Sequence, residues 1–246
     1  MRGIRLRPGR PLLAPSARPW AGGLLACCAV LVTGLGVLFA HQTRADWLDR
    51  ALDAPLITLF GGHLRLGLWL IAPGSLVPAV ALSAAVAVAC LLAGRLNGAV
   101  LAAAAVPVTG GLVEGLLKPL VHRAYLGDLV YPSGHTASIV ALAATVTLLL
   151  LVPPRPATAG ALRVLIPAVA CAAGVVVAIA LTGLRFHYFT DTVAGAAVGI
   201  GTVCGLALLL DLPSIRRWLA WVCRPRPAAS ERQSHPARAG TGTPSP

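Results

Sequence analysis

Between residues 21 and 210 the chain runs repeatedly for about twenty residues with almost no charge. A helix of that length crosses the ~30 Å hydrocarbon layer of a bilayer. Among structures that span lipid, only helices and closed barrels satisfy their own backbone. The runs are 21–40, 66–94, 96–117, 134–152, 164–184 and 192–210. With 57% hydrophobic and only 11% charged residues, and a mean hydropathy of +0.81, the chain cannot be an ordinary soluble domain. The expected fold is all-α: a polytopic bundle of six transmembrane helices over 21–212. A basic tail (1–20) precedes it, and a disordered Pro/Arg-rich tail (213–246) follows. A cleaved signal peptide competes for the first run. Leu38, at the −3 position of a cleavage after Ala40, fits the small-residue rule poorly, which favours a retained helix.

The net charge of +12 would suit a nucleic-acid binder, but its placement does not. Most arginines lie at the termini and in short connections between apolar runs, which suits membrane topology and anionic lipid. With both termini in the cytoplasm, fourteen of the 20 Lys and Arg residues fall on the cytoplasmic side and six outside. This is the sense of positive-inside sorting. Segments 118–135 and 185–191 then share the outer face. The six cysteines show no CxxC spacing and read as small core residues.

The first connection, residues 41–65, is polar and holds Asp46, Asp49, Arg50 and Asp53. Within it Trp47, Leu48, Ala51 and Leu52 recur at helical spacing. The pattern predicts an amphipathic helix, either lying on the outer membrane surface or packed on the bundle. Pro73 and Pro78 should break or kink the start of the second span. Gly195, Gly199, Gly201 and Gly205 give the sixth run small-xxx-small spacing for close helix contact.

Residues 131–136, Tyr-Pro-Ser-Gly-His-Thr, stand where a polar segment turns into the fourth run. Ser133 offers an N-cap oxygen, and the helix start offers free N–H groups backed by the helix dipole, which makes an anion site. His135 adds a proton that moves near neutral pH. The outer segments also hold Lys118, His122, Arg123 and Asp128, and then Arg185, His187 and Asp191. His187 and Asp191 are four residues apart and share a helix face if the sixth helix starts there. An Asp so placed can hold one ring nitrogen and leave the other as a nucleophile. Glu114, one turn before Lys118, reads as the partner that orients it.

These segments resemble the three-part signature of the type 2 phosphatidic acid phosphatase superfamily, whose relatives include bacterial acid phosphatases and vanadium haloperoxidases. Its pattern is a Lys with a downstream Arg-Pro, then Pro-Ser-Gly-His, then Ser-Arg followed after five residues by His and after three more by Asp. The chain keeps Lys118, Pro132, Ser133, Gly134, His135, His187 and Asp191. It departs at the two arginines: the Arg-Pro falls on Tyr125 and Leu126, and the Ser-Arg on Ala180 and Leu181. Arg123 and Arg185 are expected to supply the missing charge from shifted positions.

The resemblance implies an integral, metal-independent phosphatase that needs no cofactor. Lys118, Arg123, Ser133, Gly134 and Arg185 would cradle the phosphoryl group, whose spread charge asks for fixed donors and cations. His187 would attack phosphorus to give a phosphohistidine, Asp191 would orient it, and His135 would serve as acid and then base. The substrate would be a lipid phosphate or pyrophosphate at the outer face of the cell membrane. Undecaprenyl pyrophosphate, phosphatidic acid, phosphatidylglycerol phosphate and other polyprenyl phosphates all fit. A lipid phosphotransferase and a non-enzymatic lipid-phosphate binder or carrier are the alternatives. A metal hydrolase built on His122, His135, His187 and Asp191 lacks any HExxH-like run.

Overall fold

The structure, a computed structural model, describes residues 11–151 and 160–222. Pro153, Pro154 and Arg155, which follow the fourth run and whose prolines are expected to stop its helix, lie outside the described residues, as do 1–10 and 223–246. So does Cys223.

The described chain is helical almost throughout. It comprises α1 (Arg18–Phe39), α2 (Trp47–Phe60), α3 (Leu64–Ile71), α4 (Leu76–Leu92) and α5 (Leu96–Leu112). A π-helical turn, Val113–Leu117, joins α5 to α6 (Lys118–Val121). A two-stranded hairpin, β1 (Ala124–Tyr125) with β2 (Asp128–Leu129), then leads to α7 (Gly134–Leu151), α8 (Gly160–Gly183), α9 (Phe189–Leu210) and α10 (Pro213–Val222). Five segments are long and apolar enough to cross a membrane: Pro15–Phe39, Leu96–Val121, Gly134–Leu151, Gly160–Gly183 and Phe189–Leu210. They make this a multi-pass, all-α membrane protein.

The second predicted span corresponds to α4, which at 17 residues is a shorter apolar helix, about 25 Å long. Its start is cut as the prolines require: a 3₁₀ turn, Ala72–Gly74, ends α3, and α4 begins only after Ser75. Helices α2 and α3 bend by 113° where they meet, and counted together they give a sixth candidate span.

Helix α2 is turned opposite to a soluble amphipathic helix. Its carboxylates Asp49 and Asp53 are buried, while Trp47 and Leu52 are exposed. The inversion fits a helix whose outward neighbour is lipid and whose inward neighbour is a polar site. Both tail boundaries also shift. The Leu12 and Leu13 amides donate to the Asp211 carboxylate at 2.6 and 2.9 Å, so the chain just before α1 is tied to the end of α9. Residues 213–222, expected in the disordered tail, form α10. Its Trp218 and Trp221 are exposed and Leu219 buried, the arrangement of an interfacial helix.

Helix α9 is the centre of the bundle, packed on α7 along one side and α1 along another. Glycine permits both contacts. A Cβ on Gly199 would stand 2.5 Å from the Ala137 carbonyl oxygen, and one on Gly195 would meet the Ser133 carbonyl closer still. Gly201 faces Cys28 of α1, and Gly205 faces Leu25. The antiparallel order brings the end of α6, the start of α7, the end of α8 and the start of α9 to one end of the bundle.

Candidate active site

Two helix N-termini meet at that end, and they are treated differently. At α9, three successive amides are capped by carboxylates. The Tyr188 N–H donates to Asp191 Oδ2, the Phe189 N–H to Asp53 Oδ1 and the Thr190 N–H to Asp49 Oδ1, each at 3.1 Å. Acids at a helix start complement its dipole, so this end is filled by the protein itself. At α7, Ser133 Oγ accepts the Thr136 N–H at 3.4 Å, as an N-cap should. The amides of Gly134 and His135 have no acceptor among the described residues. They open onto a cavity of about 570 Å³ lined by Gly134, His135, His187, Lys118, Glu114 and Asp128, with an apolar lip of Ile71, Leu181 and Phe186.

Lys118 reaches the cavity because the helix is reset just before it. Pro119 has no N–H to give to the carbonyl four residues earlier, and the π turn Val113–Leu117 absorbs the lost bond. Lys118 Nζ pairs with Glu114 Oε1 at 2.9 Å, the orienting contact expected from sequence.

His187 is positioned by the hairpin. Leu126 and Gly127 both have positive φ, 51° and 95°, the geometry of a two-residue type I′ turn. The hairpin exit presents the Val130 carbonyl to His187 Nδ1 at 3.0 Å. A carbonyl only accepts, so Nδ1 carries the proton and Nε2 keeps its lone pair. Asp191 Oδ2 lies farther from Nδ1, at 4.0 Å. The orienting hydrogen bond expected from Asp191 is therefore supplied by Val130, while Asp191 stands at ion-pair distance. Burial, reinforced by nearby Lys118 and His135, lowers the His187 pKa to about 3 against the smaller opposing effect of the Val130 bond. The ring is neutral at physiological pH, as a nitrogen nucleophile must be.

Arg123 does not reach the cavity, which corrects its expected role in the phosphate cradle. Its side chain has no exposed surface. Nη1 donates to Asp191 Oδ1 at 2.6 Å and Thr190 Oγ1 at 2.8 Å, and Nη2 donates to Asp49 Oδ2 at 2.5 Å. The guanidinium is also sandwiched between the rings of Phe39 and Tyr188, at 4.2 and 4.3 Å. Its charge is consumed in joining α2 to α9. Arg185, at a left-handed φ of 62°, turns away too and lines a different cavity. Ser133 is fully buried, and its hydroxyl serves the helix cap. His187, His135, Lys118 and Gly134 thus share the cavity, with Asp191 directly behind His187.

Sequence reading missed Asp49, Asp53 and the Val130 carbonyl. The signal for the two acids was their i,i+4 spacing inside a predominantly apolar protein, where an acid inside a membrane helix is a functional candidate by default. Nothing in the sequence of Val130 advertises its carbonyl.

No curated protein and no solved structure matches the chain. Residues 120–213, the stretch from α6 through α9, match the family model PAP2, the PAP2 superfamily. The matched stretch is under half of the chain, and it is similar to that superfamily over the segment that carries Gly134, His135, His187 and Asp191.

Proposed function

We propose that the protein hydrolyses lipid phosphate or pyrophosphate esters at the outer face of the cell membrane, without a metal, through a phosphohistidine on His187. The observation that carries this reading is the pairing of an Nδ1-anchored imidazole with a helix N-terminus whose first amides have no protein acceptor among the described residues, in one cavity. The phosphoryl oxygens would accept from the Gly134 and His135 amides and from Lys118, on the axis of the α7 dipole. His187 Nε2 attacks phosphorus, the ester P–O bond breaks, and His135 gives its proton to the leaving oxygen. Water then attacks the phosphohistidine as His135 takes a proton back, the N–P bond breaks, and inorganic phosphate leaves. Asp191, 4.0 Å from Nδ1, stabilises the positive charge that the ring carries in between.

Support for a lipid substrate comes from the apolar lip of the cavity and from a long apolar groove among α1, α7, α8 and α9. The groove's residues Thr136, Phe189 and Thr192 lie in the first turns of α7 and α9. The test is phosphate release from phosphatidic acid, phosphatidylglycerol phosphate and a polyprenyl pyrophosphate by purified protein. Wild type should release phosphate from at least one of them, and His187→Ala should lower the rate by at least ~10⁴-fold. Binding without release by wild type would replace the reading with a lipid-phosphate carrier. Transfer to a second lipid instead of water would make it a phosphotransferase.

A further inference from the structure

A more cationic cavity than the one holding His187 lies at the same end of the bundle. A second cavity of about 390 Å³ lies on the far side of Tyr188, lined by Thr43, Arg44, Arg50, Asp53, Tyr125 and Arg185 among others. Three arginines converge on it, from the α1–α2 connection, the first turn of α2 and the α8–α9 connection. Arg44 and Arg185 make no side-chain hydrogen bond or ion pair among the described residues, and Arg50 gives one N–H to the Ala45 carbonyl at 3.2 Å. The only acid in the lining, Asp53, is already engaged by the Phe189 amide at 3.1 Å. Three arginines against one acid, whose Oδ1 already accepts the Phe189 amide, leave the cavity with a cationic excess and hydroxyls from Thr43 and Tyr125, an arrangement suited to an oxyanion. The catalytic cavity is the reverse: its one lysine is paired with Glu114, and Asp128 stands nearby.

We infer that this second cavity is a binding site for a phosphate-bearing group, separate from the catalytic cavity and independent of the proposed hydrolysis. A place at the level of lipid headgroups follows from its neighbour Trp47. Arg44 and Arg50 flank Trp47, which is 68% exposed, and an outward Trp between basic residues marks a membrane–water interface. The anionic headgroup of a neighbouring membrane lipid is one source of the ligand, and free phosphate is the other. An occupant would touch the segment that carries His187, because Arg185 and Tyr188 line the site from either side of it.

The test is retention of lipid by the full-length protein in native mass spectrometry, from micelles doped with phosphatidylglycerol or phosphatidylcholine, with and without inorganic phosphate. Four proteins are compared: wild type, Arg44→Gln/Arg185→Gln, His187→Ala, and Arg217→Gln as a charge control at the other end of the bundle. Wild type should retain phosphatidylglycerol in preference to phosphatidylcholine. The double variant should lose that retention by about tenfold or more, and the other two should keep it. If only inorganic phosphate binds, with the same variant pattern, the site belongs to the free anion. Equal anion binding by wild type and the double variant would overturn the inference. So would an equal loss in Arg217→Gln, which would indicate general surface charge, or in His187→Ala, which would place the ligand in the catalytic cavity.

Discussion

A guanidinium with no exposed surface, two carboxylate partners and two aromatic faces is structural, whatever its distance from a motif lysine. Arg123 meets that description, and its charge is paired with both Asp49 and Asp191, where a lone buried charge would be costly. Replacing it with Gln leaves buried carboxylates without a counter-charge, a loss of about 3–5 kcal/mol. Thermal unfolding in detergent should show a large drop in Tm, with activity falling in step. A raised KM at unchanged Tm would mean instead that Arg123 touches substrate. Asp49→Asn removes one partner and should show the same pattern more mildly.

His187 gives a second prediction at this scale. Its pKa in the folded protein, about 3, lies below the ordinary ~6.5 of an unfolded chain. Between those values the unfolded state binds a proton that the folded state refuses, so the His187 contribution to stability is present above ~6.5 and is lost as pH falls toward 3. Ring-nitrogen NMR of selectively labelled protein at pH 5 should find His187 still neutral and protonated on Nδ1. A charged ring at that pH would contradict the burial that holds the pKa down, and a neutral ring protonated on Nε2 would contradict the Val130 geometry.

At the scale of elements, two features set the site: the α7–α9 contact and the docking of α2. Gly199→Ala drives a methyl into the Ala137 carbonyl, an overpacking worth about 1–3 kcal/mol. It should also separate the cradle on α7 from the nucleophile before α9. The expected result is a lower kcat beyond what lost folded protein explains, measured per folded molecule after size-exclusion. Unchanged turnover would show that the two helices need not touch closely there. The glycine spacing was legible because close approach requires a missing Cβ, which a sequence reports directly. The orientation of α2 was not. Periodicity shows that a helix has two faces, but which one turns inward depends on whether lipid or water lies outside. Likewise Pro119 was visible, while the π turn that answers it depends on how the neighbouring helix accommodates the lost bond.

For the whole molecule, the all-α membrane bundle could be read from the apolar runs because burial in lipid demands length and little else. The convergence of Lys118, Gly134, His135 and His187 could also be read, since two crossings, α7 and α8, return the chain to the face it left. The destinations of Arg123 and Arg185 could not, because a flexible cation goes to whichever carboxylate or cavity tertiary packing places beside it. Sidedness is open to direct test. Leu126 at the hairpin tip is 87% exposed, and a Leu126→Cys protein in intact cells should react with a membrane-impermeant maleimide well above the wild-type background. Labelling only after lysis would put the site in the cytoplasm.

The central claim is that His187 Nε2 becomes bonded to phosphorus. It is tested by acid-free quenching of purified protein during turnover of a ³²P-labelled lipid phosphate, followed by peptide mapping. The account predicts an acid-labile, base-stable phosphoryl group on the peptide containing His187. It should be absent in His187→Ala. Turnover with no labelled protein, or label on another residue, would contradict it.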